Sequence, residues 1–182
     1  KPNDICDSSS GKAEWNGLSE FGRKVVREMN KLGILIDISH ASEKTFYDVI
    51  ELSEQPIIAS HSSVQALCYH DRNLTDNQMK ALAKKGGVVQ ICLVDLFINK
   101  DRTKAGLSDA IEHIDYAVKV AGIDHVGIAS DFDGGGGLIG CMGSNDMVNI
   151  TMKLIEKGYS DQDIEKIWGG NFLRVLNLVQ KK

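Results

Sequence analysis

The sequence predicts an α/β fold with a parallel sheet, and three observations carry that expectation. Short apolar runs alternate with segments of helical spacing, and this happens four times in succession. Glycines stand where several of the helices should stop. Polar residues close most of the runs at the same end, where parallel α/β folds bind ligands. Two architectures fit four strands of this kind: an open doubly wound sheet, or half of a (β/α)8 barrel, which when complete takes about 250 residues.

Residues 1–17 are polar and rich in Gly and Ser, and read as a lead-in loop before a single domain over 18–182. Apolar groups at Leu18, Phe21, Val25, Met29 and Leu32 have helical spacing, with Ser19 placed to cap the start and Gly33 to end it. The run Ile34–Ser39 suits a buried parallel strand. A helix over about 43–53 leads to a strand over Pro56–Ser60. The next helix, near 75–85, begins at Thr75, stops at Gly86–Gly87 and leads to a strand over Val88–Leu93. A helix over about 107–120 ends near Gly122 and leads to a strand over His125–Ser130. After the glycine run 134–137 the chain is helical near 145–157, 161–168 and 171–180.

Composition excludes several classes. The 182 residues are 42% hydrophobic and 25% charged, as in ordinary globular chains, and a net charge of −4 argues against nucleic acid as a partner. No stretch approaches the roughly 20 apolar residues of a membrane-spanning helix. The first residues carry no signal-like pattern, and a start at Lys1 reads as the interior of something longer. Cys6, Cys68, Cys92 and Cys141 are too dispersed for a CxxC pair, and Cys92, in an apolar run, reads as a small buried hydrophobe.

The chemistry gathers at the strand ends. The first strand closes with Asp37-Ile-Ser-His40 and the second with Ser60-His61. The two histidines lie 21 residues apart, one strand–helix–strand step, so both imidazoles should project into one mouth as candidate metal ligands. Asp131, at the end of the fourth strand, can take a proton from water and pass it to a leaving amine. Arg72, in a polar loop eleven residues past His61, has the planar fork that grips a carboxylate. His70, His113 and His125 are weaker candidates, because His113 falls within a helix and His125 begins a strand at the opposite end. The run Gly134–Gly137 lacks the ending of a phosphate loop and reads as a mobile rim loop.

Five blocks, LIDISHAS (35–42), PIIASHSS (56–63), DRN (71–73), GIASDFDG (127–134) and GNFLRV (170–175), together resemble the membrane (renal) dipeptidase family in order and spacing. The resemblance implies that the chain is the C-terminal half of a (β/α)8 TIM-type barrel with a binuclear Zn2+ centre that hydrolyses dipeptides through a metal-bridged hydroxide. It assigns His40 and His61 as ligands of one zinc, Arg72 to the substrate carboxylate, and Asp131 to the substrate amine and the attacking water. The family's His-x-Asp pair and bridging glutamate have no counterpart here and are expected upstream, so a dipeptide and the preceding half of the barrel are the implied partners, with a homodimer compatible. Phe97 stands where the family has a tyrosine, and Cys68 lacks the partner cysteine of a family disulfide, that position being Lys100. The resemblance favours an extracytoplasmic or membrane-associated setting. Two other readings are an inactive barrel fragment, or a related metal hydrolase acting on a cyclic amide.

Overall fold

The computed structural model describes residues 1–180. Its sheet has three parallel strands in sequence order, β1 (Ile58–Ser62), β2 (Val88–Cys92) and β3 (Val126–Ala129). Helices return the chain between them: α1 (Glu20–Leu32) and α2 (Glu43–Leu52) precede β1, and α3 (Asp76–Lys84) joins β1 to β2. The connection from β2 to β3 holds a short α4 (Asp95–Ile98), which the sequence pattern does not announce, and the long α5 (Leu107–Ala121). Helices α6 (Val148–Glu156), α7 (Asp161–Glu165) and α8 (Asn171–Val179) follow the sheet.

The fourth expected strand is reduced to one contact. Residues 34–39 approach β1 in parallel, with the Ile38 N–H donating to the Ile58 carbonyl and the Ile58 N–H to that of Ile36, both at 2.9 Å. Only Asp37 forms a bridge, opposite Ile58. The segment lies at the edge of the sheet, and the left-handed backbone of His40 (φ 70°) turns the chain away immediately afterwards.

Capping explains the helix starts. Ser19 accepts from the Gly22 N–H, Ser42 from Thr45, and Thr75 from Gln78, whose own side chain completes a capping box. Gly33 closes α1 in the left-handed conformation (φ 67°) that its sequence position predicts. Between α7 and α8 a π turn over Lys166–Gly170 lets one helical path run on where the sequence suggests a break at Gly169–Gly170.

β2 is central and its apolar residues Val88, Val89, Ile91 and Cys92 are fully buried, as a parallel strand covered on both faces requires. Residues 1–17 form no helix or strand, yet Asp7 organises them. Its carboxylate accepts from the backbone of Glu14 (2.6 Å), Trp15 (3.1 Å) and Gly17 (2.9 Å). At the start of the strands, Asn171 donates to the Ile123 and Val126 carbonyls, and Arg174 to those of Gly86 and Asp124. The GNFLRV block thus pins α8 to the end of the sheet remote from the site.

Candidate active site

β1 pairs with β2 in normal register at Ile58 and Ala59, and then slips. Ala59 faces Val89, but Ser62 faces Ile91, so β1 carries one extra residue across Ser60 and His61. Such a bulge interrupts the alternation of side chains between faces. Here it lets two consecutive side chains meet, the Ser60 hydroxyl lying 2.7 Å from His61 Nδ1.

His61 Nε2 then points at His40 Nε2, 2.9 Å away, with ring centroids 4.9 Å apart. Two nitrogens bound tetrahedrally to one Zn2+ at 2.0–2.1 Å stand about 3.3 Å apart, so a few tenths of an ångström of opening would admit a metal ion. Partial desolvation holds the His40 pKa below its ordinary value, helped by the Arg72 charge and His61 and opposed by Asp131 and Asp37. That favours the neutral imidazole a metal needs. Among the described residues no group of three His, Cys, Asp or Glu converges to hold a metal, so the pair offers part of a coordination shell.

Arg72 is 9% exposed, yet among the described residues no carboxylate pairs with it. Its Nη2 donates to the His61 carbonyl at 3.0 Å, and its buried Nε has no partner among the described residues. The guanidinium carbon sits 5.5 Å from the centre of the Phe97 ring, which His70 flanks at 4.6 Å. Burial lowers its pKa, while Cys92, Asp131 and Asp37 oppose the shift. A buried cation without an anion is costly unless something anionic joins it. Phe97 therefore matters as a platform, a role that sequence reasoning misses because it sees only a missing hydroxyl.

Asp131 also has a left-handed backbone (φ 52°), so His40 and Asp131 are two of the three non-glycine residues with positive φ among those described. Strain of this kind gathers at functional sites. The Asp131 carbonyl accepts from Gly134 and Gly136, closing a tight turn. Its carboxylate receives a weak bond from the Cys92 thiol, S to Oδ2 3.7 Å. Burial, with the nearby Asp131 charge adding to it, pushes the Cys92 thiol up to about 12, so it stays protonated as the donor.

The remaining histidines have structural surroundings. Buried His113 accepts from the Val64 N–H and lies 3.1 Å from the Ile98 carbonyl, and burial lowers its pKa to about 4. His125 contacts the Gly87 carbonyl at 2.8 Å, at the opposite end of the sheet. His70 accepts from the Arg72 N–H at 3.1 Å. All four cysteines are free.

The chain matches known proteins over nearly its whole length. The family model described as "Membrane dipeptidase (Peptidase family M19)" matches residues 3–182. The chain is 37% identical to Dipeptidase tcpJ of Claviceps purpurea over 182 residues, covering 99% of this chain and 43% of that protein. It is 36% identical to Dipeptidase aclJ of Aspergillus oryzae, covering 98% and 43%. Among solved structures it resembles the probable dipeptidase PvdM from Pseudomonas aeruginosa, with a TM-score of 0.93 and 34% identity over 98% of this chain and 60% of that one. It also resembles a metallo peptidase from Rhodobacter sphaeroides liganded with a phosphinate mimic of the dipeptide L-Ala-D-Ala, with a TM-score of 0.87 and 31% identity over 95% and 49%. The chain spans less than half the length of these curated relatives.

Proposed function

The chain belongs to the membrane dipeptidase family, and we propose that it supplies one side of a zinc-dependent dipeptidase site, the other side coming from a preceding segment of the barrel. The observation that carries this reading is the meeting of His40 and His61 through their Nε2 atoms at 2.9 Å, at the sheet end that also presents Arg72 and Asp131. His40 and His61 would hold one of two zinc ions. Bound there, zinc supplies Lewis acidity at the scissile carbonyl and lowers the pKa of the attacking water.

The chain's own residues do the rest. Arg72, buried and without an anion among the described residues, binds the free carboxylate of a dipeptide and so fixes the scissile bond one residue away. Asp131 Oδ1 and Oδ2 take a proton from the attacking water and deliver it to the leaving amine. A second reading, hydrolysis of a cyclic amide, leaves Arg72 without a carboxylate to bind.

The test is dipeptide hydrolysis and zinc content in the full-length protein. His40→Ala and His61→Ala are expected to lose turnover together with bound zinc. Unchanged zinc stoichiometry in both variants would refute the assignment.

A further inference from the structure

We infer that Ser60 and Asp37 form a relay that fixes the tautomer of His61 and aims its Nε2 lone pair at the metal; the inference rests on the reading of His61 as a ligand. Neither residue is read as a ligand, so both are positioning residues.

The Ser60 hydroxyl lies 2.5 Å from Asp37 Oδ2 and 2.7 Å from His61 Nδ1, and it has one hydrogen to give. Ser60 donates to Asp37 Oδ2 at 2.5 Å, so its hydrogen lies between Ser60 and Asp37. Ser60 must then accept from His61, and Nδ1 has to carry the ring proton. That leaves Nε2 bare, facing His40. With the opposite tautomer, Ser60 would turn its hydrogen to Nδ1 and face Asp37 lone pair to lone pair.

Asp37 is itself held. Its Oδ1 accepts from the Ser39 and Ser60 N–H groups, each at 3.0 Å, tying the edge segment to β1. Ser39 accepts from the His61 N–H at 3.1 Å, so the backbone of the ligand is anchored by the same cluster. The bulge at Ser60–His61 is what brings hydroxyl and imidazole together. A metal-bound histidine commonly gives its other N–H to a carboxylate or carbonyl. In this chain a hydroxyl is interposed and passes the polarity on.

The test uses the full-length protein and three variants. Ser60→Ala removes the relay, Ser60→Thr keeps the hydroxyl, and Asp37→Asn retains Oδ1 while replacing the acceptor Oδ2 with a donor. In zinc-free, 15N-histidine-labelled protein, long-range 1H–15N spectra are expected to show His61 as the Nδ1–H tautomer, its signals identified by their absence in His61→Ala. Ser60→Ala should lose that preference, and Asp37→Asn should move the population toward Nε2–H, because the Ser60 hydrogen is then free to turn to Nδ1. Competition with a chromogenic chelator should show zinc affinity reduced roughly 10–100-fold in Ser60→Ala and restored in Ser60→Thr. Wild-type affinity with an unchanged tautomer in Ser60→Ala overturns the relay while leaving the ligand assignment intact. Wild-type zinc binding in His61→Ala overturns the metal-site reading and the relay with it.

Discussion

At the scale of single residues, Arg72 shows how burial and missing partners indicate a role. It is 9% exposed, stacked on Phe97, and not paired with any described carboxylate. Arg72→Ala is expected to lower kcat/KM for a free dipeptide by about 1.5–3 kcal/mol, roughly ten- to more than a hundredfold, with zinc content unchanged. The same variant should lose little further activity toward a dipeptide amide, which already lacks the carboxylate. Equal cleavage of acid and amide by the wild type would give Arg72 another role. His113 makes a different prediction. Burial lowers its pKa to about 4, against 6.5 unperturbed. The unfolded chain therefore binds more protons between those values, and the stability contributed by neutral His113 is complete above about pH 6.5 and lost as pH falls toward 4. The full effect is on the order of 3 kcal/mol. Denaturant titrations in the presence of a chelator, from about pH 7 down to about pH 4.5, should show a flatter profile for His113→Gln; parallel profiles would contradict this. His40, His61 and Asp131 are legible as candidates because they close apolar runs, and Arg72, in a loop, is legible only through the family resemblance. Asp37 and Ser60 stand in the same blocks, but their link depends on a bulge, and nothing in the residue order records one.

At the scale of elements, the glycine run 134–137 looks like a flexible rim loop in the sequence, whereas the structure gives each glycine a separate reason. A Cβ on Gly134 would lie 2.1 Å from Asp131 Oδ1, and one on Gly136 would lie 2.2 Å from the Ser130 carbonyl. Gly135 and Gly137 have φ of 99° and 142°, which disfavour other residues. Gly134→Ala is therefore expected to push the Asp131 carboxylate aside and cost up to about a hundredfold in turnover with little change in stability. Gly135→Ala meets no atom within 4 Å but must adopt a left-handed backbone, which costs about 1–2 kcal/mol of stability and leaves turnover near wild type. Parallel kinetics and melts of the two variants separate these effects; an active Gly134→Ala would show that Asp131 is not held as described. Helix boundaries were readable from Ser19, Thr75 and Gly33, since capping is local chemistry. The edge segment falls short of the strand that its apolar run predicts. Its apolar run is real, but the Ser39 N–H turns to the Asp37 carboxylate and the left-handed His40 ends the pairing with β1 after one bridge.

At the scale of the whole molecule, the parallel sheet and the family membership agree on a partial barrel whose strand ends carry the chemistry. The alternation of helices and strands made that architecture visible in the sequence, and the order of the five blocks chose the barrel over the doubly wound sheet. The central claim is that His40, His61, Arg72 and Asp131 are one side of a shared site. The described residues bring no third metal-binding group to the His40–His61 pair, and the chain covers 43% of its relative in Claviceps purpurea. The most direct test is hydrolysis of a simple dipeptide by residues 1–182 with added zinc, with and without a second chain carrying the preceding strands of the barrel. The account predicts no turnover by residues 1–182 alone, and chelator-sensitive turnover when the two are combined. Chelator-sensitive hydrolysis by residues 1–182 on their own would contradict it.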